Sequence, residues 1–266
     1  MNADRSFETR PRPTERAAVW ESGMSLAEAV TKRNCAETGH SRCGVCSNLF
    51  AALDDDERAA LDRLRRHAAF APKELVFAQG DVASRVFSLS QGVVRIYKLL
   101  PDGRRQVVGF ALPGDFLGLT LLDHHTLTAE AIEPTVACSF PRPGFRRLVD
   151  GNLVALRRMN QLVSQELAAA HDRMMMLGRY TAEEKMAAFL LSWRERQRGR
   201  ARAARMTPLP MSRRDIADYL GLTIETVSRT FTKIERSGVI EIAPGGVRIV
   251  DEARAAQLAA ASSPGA

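Results

Sequence analysis

Four cysteines are the residues of this sequence whose spacing suggests chemistry most directly. Cys35, Cys43 and Cys46 lie near the N-terminus with the spacing C-x7-C-x2-C, and Cys138 lies far along the chain in the segment TVACSFPR. Three clustered thiols and one distant thiol can supply the four thiolate ligands of an iron–sulfur cluster. We therefore expect these four side chains to bind metal as a set.

Two other uses of the same cysteines are open. Together with His40, the N-terminal cysteines read C-x4-H-x2-C-x2-C, which suits a local zinc site. Cys138 would then be an ordinary buried strand residue. The thiols could also be redox-active without any metal. The adjacent His124 and His125 could ligate haem, but paired histidines in a loop are more often solvated, and we expect them to be so.

A second set of side chains has the chemistry of base reading. The segment from Arg213 to Phe231 fits two short helices, with Gly221 where the chain must turn sharply and Thr223 where the second helix needs an N-cap. Arginine bonds guanine O6 and N7 together, and glutamate accepts from the cytosine amino group. We expect base contacts from Glu225, Ser228 and Arg229, and phosphate contacts from Ser212, Thr226 and Lys233.

Short apolar runs must form the domain that carries the distant cysteine. Residues 75–140 contain such runs between turn signals, a pattern that favours a small antiparallel β-barrel or jelly roll. Residues 54–67 have helix chemistry, and residues 239–250 suit a hairpin, which would make the helix-turn-helix a winged one. The arginine-rich run 194–206 is expected to be a solvated loop.

A long helix is predicted over residues 153–177, because its apolar residues repeat every seven positions. Such a period favours pairing with a second helix, so we expect a homodimer; the alternative is a helix packed on its own barrel. Asp172 lies near the predicted seam, where facing carboxylates would repel each other, unless it is simply an exposed acid. The seam would contain Leu156, Val163, Ala170 and Leu177.

Composition limits the class of protein. The 266 residues carry a net charge of +7, which favours a polyanionic partner. No apolar stretch has the length of a signal peptide or a membrane span, so we expect a cytoplasmic protein that does not bind membranes. No Ser/His/Asp set, phosphate loop or dinucleotide fingerprint indicates an enzyme.

The predicted α+β fold comprises a flexible extension (1–34), a sensor domain with the cysteine segment and barrel (35–150), a dimerisation helix (151–179), a winged helix-turn-helix (180–255) and a tail (256–266).

With these elements in this order, the chain resembles the Crp/Fnr family of bacterial regulators over about residues 35–255. The block LPGDFLGL matches the cyclic-nucleotide-binding-like barrel of the family, and MSRRDIADYLGLTIETVSRTFTKIERSGVI is similar to the DNA-binding motif of the Fnr branch. That branch carries a Glu, a Ser and an Arg that match Glu225, Ser228 and Arg229. Ile224 stands where catabolite activator proteins have an arginine, which points to TTGAT half-sites in an inverted repeat.

The resemblance also implies a sensor and its partners. A [4Fe–4S] cluster on the four cysteines would form without oxygen and break down with it, and the dimer would then weaken and release double-stranded DNA. The close cysteine pair comes last here, whereas it comes first in the commonest Fnr spacing. Asp172 is our candidate for the acid that keeps the apo-protein monomeric, and RNA polymerase is the implied partner.

Cyclic AMP is not expected to bind. In members of the family that bind it, a Gly-Glu pair and a later Arg-Ser hold the ribose and the phosphate. Here Gly118 is followed by Leu119, and the later segment is HHTLTAEA, which offers no cation to a phosphate. The alternative to the cluster is a regulator of the same family that senses through zinc-bound cysteines, redox-active cysteines or another barrel ligand.

Overall fold

The computed structural model describes residues 53–197 and 206–260. The predicted ligands Cys35, Cys43 and Cys46, the N-terminal extension and most of the arginine-rich run lie outside these ranges. All statements about the fold concern the two described ranges.

The first domain is a jelly roll of two antiparallel sheets rather than a closed barrel. The strand orders of the sheets are β1-β8-β3-β6 and β2-β7-β4-β5. Apolar side chains fill the space between them, with Leu89, Val94 and Ala129 fully buried. The elements are α1 (Asp55–Leu64), β1 (Arg66–Phe70), β2 (Leu75–Phe77), β3 (Arg85–Gln91), β4 (Val94–Leu99), β5 (Arg105–Ala111), β6 (Phe116–Leu117), β7 (Thr128–Ala131) and β8 (Thr135–Pro141).

Two of these strands were not predicted. The helix expected over residues 54–67 ends at Leu64, because Arg65 has extended backbone angles, and β1 follows at once. The sequence of β1, RHAAF, has no β-branched residue and no period of two. The sequence of β7, TAEA, alternates, but it has only four residues, its only apolar side chains are alanines, and all four residues are buried. Their pairing with β8 and β4 places them in the sheets.

Two consecutive helices connect the domains. Helix α2 (Arg142–Gly151) was not predicted and is followed directly by α3 (Leu153–Arg179). The side chain of Asn152 caps α3 by accepting from the amides of Val154 and Ala155, and its amide group donates to Glu57 of α1 at 3.0 and 2.8 Å. The long helix was predicted to end at residue 177 but continues to Arg179, with Gly178 in its last turn.

The second domain is the predicted winged helix-turn-helix. Strands β10, β11 and β9 form a small antiparallel sheet beside the helices. The predicted C-terminal tail is instead a helix as far as Ala260, and its Ala255 is buried in the domain core. The elements are α4 (Ala182–Gln197), β9 (Thr207–Pro208), α5 (Arg213–Leu220), α6 (Ile224–Arg236), β10 (Ile240–Ala243), β11 (Gly246–Ile249) and α7 (Glu252–Ala260).

The start of the arginine-rich run is not a solvated loop. Arg194 and Arg196 lie in α4 and are held by the surrounding structure. Arg194 pairs with Glu252 of α7 at 2.8 Å, and Arg196 pairs with Asp115 at 2.5 Å and donates to the carbonyl of Phe110 at 2.9 Å. Among the described residues, no helix is both long and apolar enough to cross a membrane.

Two glycines provide a matched test of the helix ends. Gly221 has a φ of 63°, and a Cβ there would lie 3.2 Å from Leu177, so Gly221→Ala should destabilise the protein by roughly 1–2 kcal/mol. Gly178 is helical with open space around it, so Gly178→Ala should stabilise the protein by up to about 1 kcal/mol. Thermal unfolding followed by circular dichroism measures both. Shifts of the same sign would contradict the assignment of these helix ends.

Candidate nucleic-acid interface

Helix α6 presents one apolar and one polar face. Its apolar face, with Val227, Phe231 and Ile234 buried, packs in the domain core. Thr223 caps its N-terminus by accepting from the amide of Thr226 at 3.2 Å. The residues predicted to read bases, Glu225, Ser228 and Arg229, are all exposed on the opposite face, as is Thr232. The structure therefore brings the predicted base-reading side chains together on one solvent-facing surface.

Helix α5 and the turn after it fix the direction of α6. Ser212 and Asp215 form a capping box at the N-terminus of α5. Gly221 ends α5 in the left-handed conformation, and the amide of Leu222 donates back to Ala217 at 3.0 Å. Ala217 is buried and small, which lets the two helices approach closely. The turn signals in the sequence therefore predicted this geometry correctly.

The N-terminal turn of α6 favours the ionised form of Glu225. A backbone amide and the Thr223 hydroxyl donate to its carboxylate, and Arg229 lies nearby, so its pKa falls below the ordinary value of 4.5. A charged carboxylate only accepts hydrogen bonds, as a partner for a cytosine amino group must. The Ser228 hydroxyl donates to the carbonyl of Ile224 at 2.9 Å, which orients its lone pairs outwards from the helix.

The three predicted phosphate contacts already have partners in the chain. The hydroxyl of Ser212 belongs to the capping box, and that of Thr226 lies 3.1 Å from Thr223. The ammonium of Lys233 pairs with Glu183 of α4 at 2.5 Å, although its side chain is mostly exposed. Two exposed cations that the sequence analysis did not select, Arg214 and Arg236, lie on the same two helices. Because both arginines lie within the helix-turn-helix motif, the sequence could have indicated them as phosphate contacts.

A buried ion-pair network joins α5 to the β4–β5 hairpin of the jelly roll. We call this the interdomain network, and it was not predicted. One oxygen of Asp215 accepts from Arg95 and from Arg105, both at 2.8 Å. Arg105 also pairs with Asp218 at 2.6 Å. Arg95 in turn pairs with Glu130, which accepts a hydrogen bond from the Tyr97 hydroxyl at 3.0 Å.

Asp215 remains ionised within this network. Burial by itself would raise the pKa of its carboxyl group, but the hydrogen bonds from Ser212 and the charges of Arg95 and Arg105 outweigh burial. The pKa of Asp215 is therefore lower than its ordinary value of 3.8. A buried carboxylate is stable only when such partners compensate its lost hydration.

The long helix α3 carries an apolar stripe with no partner among the described residues. Val163, Leu167 and Met174 are 56%, 57% and 62% exposed, and Ala170 lies between them on the same side. Two predicted seam residues near the ends of the helix are less exposed than this stripe, because they contact their own chain. Leu156 is half-buried against the jelly-roll core, and Leu177 is half-buried near Gly221.

Asp172 lies on the other side of α3. It is two residues from Ala170 and two from Met174, and at about 100° per residue this places it about 160° round the helix from both. Its side chain is exposed. This helical phase weighs against Asp172 as a seam residue and favours the simpler interpretation of an exposed acid.

Cys138 is buried in an apolar cluster that reaches the first turn of α3. It lies on β8, between His67 of β1 and Ser88 of β3, and it is 1% exposed. Its apolar cluster includes Leu53, the first described residue, and Ala155 in the first turn of α3. Within residues 53–197 and 206–260, no group of three potential ligands could hold a metal ion.

Models of two protein families match the chain. The cyclic nucleotide-binding domain matches residues 67–152, and the Crp-like helix-turn-helix domain matches residues 184–258. The chain is 50% identical over 227 residues to the nitrogen fixation regulation protein FixK of Bradyrhizobium diazoefficiens, covering 85% of this chain and 94% of that protein. The chain belongs to the Crp/Fnr family of transcription regulators. It is therefore a DNA-binding regulator, and its relatives are regulators rather than enzymes.

Further members of the Crp/Fnr family support this assignment. The transcriptional activatory protein AadR of Rhodopseudomonas palustris is 47% identical over 228 residues, covering 86% of this chain and 92% of AadR. The solved structure of FixK2 from Bradyrhizobium japonicum is 37% identical and has a TM-score of 0.69, covering 75% of this chain and 99% of that one. The order of jelly roll, long helix and winged helix-turn-helix is thus shared with that structure.

The two adjacent histidines of the jelly roll have different environments in this Crp/Fnr member. His125 was expected to be solvated, but it is buried and its ring stacks on Phe77 with a centroid distance of 3.8 Å. Burial lowers the pKa of His125 below its ordinary value. His125 therefore acts as an aromatic core residue, whereas its neighbour His124 is exposed.

Proposed function

We propose that the chain is an oxygen-responsive transcription activator that binds TTGAT-type inverted repeats as a homodimer. The observation that carries the DNA part is the joint exposure of Glu225, Ser228 and Arg229 on one face of α6. Activation is supported by the names of relatives such as the transcriptional activatory protein AadR and the transcriptional activator protein Anr of Pseudomonas aeruginosa. RNA polymerase is the partner that activation requires.

Base recognition follows from the spacing of two side chains. Arg229 lies one helical turn after Glu225, so both side chains point to the same surface near the N-terminus of α6. Arg229 can bond O6 and N7 of the half-site guanine, while Glu225 accepts from the amino group of the cytosine paired with it. Ile224, 42% exposed beside them, offers no charge to a base.

Arg229→Ala should therefore cost roughly 1–3 kcal/mol of binding free energy per half-site and relax preference at the guanine position. Arg236→Ala is the matched control, because it removes the same charge from the other end of α6. The control should weaken binding to all sequences alike. Gel-shift titrations against sites with the guanine changed are the measurement. An equal loss for every sequence in Arg229→Ala would make Arg229 a phosphate contact only.

Dimerisation is supported by the exposed stripe on α3. Val163, Leu167, Ala170 and Met174 follow one another at intervals of four, three and four residues, the spacing of a two-helix seam. Pairing with the same helix of a second chain would remove these apolar side chains from water. Leu156 and Leu177 would border this seam from positions that already contact their own chain.

Val163→Glu should produce monomers, because a carboxylate in the seam would be buried without a partner. Gln165→Glu adds the same charge on the far side of α3 and should leave the dimer intact. Asp172→Ala should also leave it intact, given the position of Asp172 on the helix. Analytical ultracentrifugation measures all three variants. A dimer that tolerates Val163→Glu, or is strengthened by Asp172→Ala, would contradict this seam.

The oxygen-responsive part rests on the four cysteines, which would hold a [4Fe–4S] cluster. Thiolates are the ligands that such clusters prefer. A bound cluster would make the protein oxygen-responsive, because oxygen breaks the cluster down. Cys138 fits this role because it shares an apolar cluster with Leu53, and Leu53 follows Cys46 by seven residues. Seven extended residues span at most about 25 Å, so the length of chain between Cys46 and Leu53 is compatible with Cys46 and Cys138 binding one cluster.

The position of Cys138 also suggests how its state reaches the dimer. The same apolar cluster contains Ala155, fully buried, and packs against Leu156 and Met159 of α3. Close-packed cores transmit displacements, so a change at Cys138 would move the first turns of the helix that carries the stripe. A local zinc site with His40 gives Cys138 no such role.

Changing any one of Cys35, Cys43, Cys46 and Cys138 to Ser should abolish iron and sulfide binding and oxygen-dependent DNA binding together, because a four-ligand cluster needs every ligand. Metal and sulfide content of the anaerobically reconstituted protein is the measurement.

His40→Ala is the control for the cysteine variants. Equal amounts of iron and sulfide, kept in His40→Ala and lost in Cys138→Ser, support the cluster. Zinc that persists in Cys138→Ser and is lost in His40→Ala would establish the local zinc site instead. If the reconstituted wild-type protein contained no metal, the thiols would be its only redox groups, and the proposed cluster would be contradicted.

A further inference from the structure

The interdomain network is an extensive polar contact between the two domains. Three carboxylates and two guanidinium groups take part, and every one of these side chains is less than a quarter exposed. Exposed ion pairs contribute little, because water screens them and their side chains stay mobile. A buried network with shared partners holds its members in one geometry.

The two carboxylate oxygens of Asp215 bind different partners. Oδ2 accepts from the hydroxyl and the amide of Ser212 at 2.7 and 3.0 Å and so caps α5. Oδ1 accepts from Arg95 and Arg105 of the jelly roll. The first helix of the DNA-binding motif is therefore capped and attached to the other domain by the same carboxylate.

Aromatic packing surrounds the network. Phe110 of β5 lies edge-on to Trp193 of α4, with ring centroids 5.8 Å apart, and 5.5 Å from the ring of Tyr219 on α5. The guanidinium of Arg173, on α3, lies 4.8 Å from the centre of the Tyr219 ring. Helix α5 is thus held by the jelly roll and by the helix that carries the apolar stripe.

We propose that Arg95 and Arg105 are positioning residues that set the half-site spacing this regulator accepts. The proposal rests on the proposed dimer. Two domains related by a two-fold axis bind two half-sites only if each recognition helix is held at a fixed distance from that axis. The interdomain network ties α5, and through it α6, to the body that contains α3. A weakened network would let each DNA-binding domain swing and accept other spacings.

The test uses full-length protein and TTGAT inverted repeats whose central spacer is lengthened or shortened by one or two base pairs. Each added pair moves a half-site by about 3.4 Å and rotates it by about 35°. Arg105→Gln removes the pairs with Asp215 and Asp218 from the jelly-roll side, and Asp218→Asn removes the second of them from α5 without touching the cap at Asp215. Arg104→Gln is the matched control, because its exposed side chain pairs only with the neighbouring turn residue Asp102 in the contacts described.

The expected result is a change in spacer preference. Wild type and Arg104→Gln should favour one spacer, while Arg105→Gln and Asp218→Asn should bind that spacer more weakly and reduce the ratio between best and next-best spacer by about fivefold or more. The double variant should lose no more than Arg105→Gln alone, because the Arg105–Asp218 contact that Asp218→Asn removes is already lost in Arg105→Gln. Circular dichroism confirms that each variant is folded.

Three results would overturn the proposal. An unchanged spacer ratio in Arg105→Gln and Asp218→Asn shows that the network does not set spacing. Tighter binding to all spacers shows that it inhibits DNA binding instead. A wild type that binds single half-sites without spacer preference removes the proposed dimer, and the spacing role with it, which distinguishes failure of the dimer from failure of the network.

Discussion

The buried carboxylate of Asp215 accepts hydrogen bonds from two domains at once, and the arrangement of the functional surface depends on it. One oxygen completes the cap of α5, and the other accepts hydrogen bonds from Arg95 and Arg105 on the jelly roll. Removing either set of partners would leave a buried charge uncompensated, which is costly in a low-dielectric interior. The orientation of α6 towards DNA is therefore a property of the whole chain and not of the helix-turn-helix alone.

A separate apolar cluster surrounds Cys138, in the part of the jelly roll that we propose as the sensor. Cys138, Leu53 and Ala155 belong to it, so the strand cysteine, the exit of the cysteine-bearing segment and the start of α3 are packed together. The middle of α3 carries the exposed stripe, and its end contacts the DNA-binding domain through Arg173 and Met176. One rigid helix thus touches the proposed sensor, the proposed dimer seam and the reading helices.

The parts of this account that the sequence predicted are those specified by neighbouring residues. Gly221 and Thr223 determine a turn and a cap locally, and the period of α6 alone separates its buried from its exposed face. The interdomain network is different, because Arg95 and Asp215 are 120 positions apart and Asp215 has the sequence context of an ordinary helix cap. Only tertiary structure brings these charges together.

Other differences have similarly physical reasons. The α7 helix, EARAAQLAA, has a weak apolar pattern and is stabilised by burial of Ala255 and an ion pair from Arg194. The prediction for Asp172 used its distance along the chain from the apolar residues, whereas its angular position on α3 places it on the opposite side. Residues near in sequence need not share a helix face.

Hydrogen–deuterium exchange on full-length Arg105→Gln tests the central claim, that the jelly roll holds the DNA-reading helices through the interdomain network. Arg105 lies on β5, and its replacement leaves every hydrogen bond of the α5 cap in place. The account predicts faster exchange of the amides of α5 in this variant, with Arg104→Gln unchanged, because α5 would lose its two ion pairs with Arg105 and keep only the weaker remainder of its contacts with the other domain. Faster exchange confined to β4 and β5, with α5 as protected as in wild type, would contradict it.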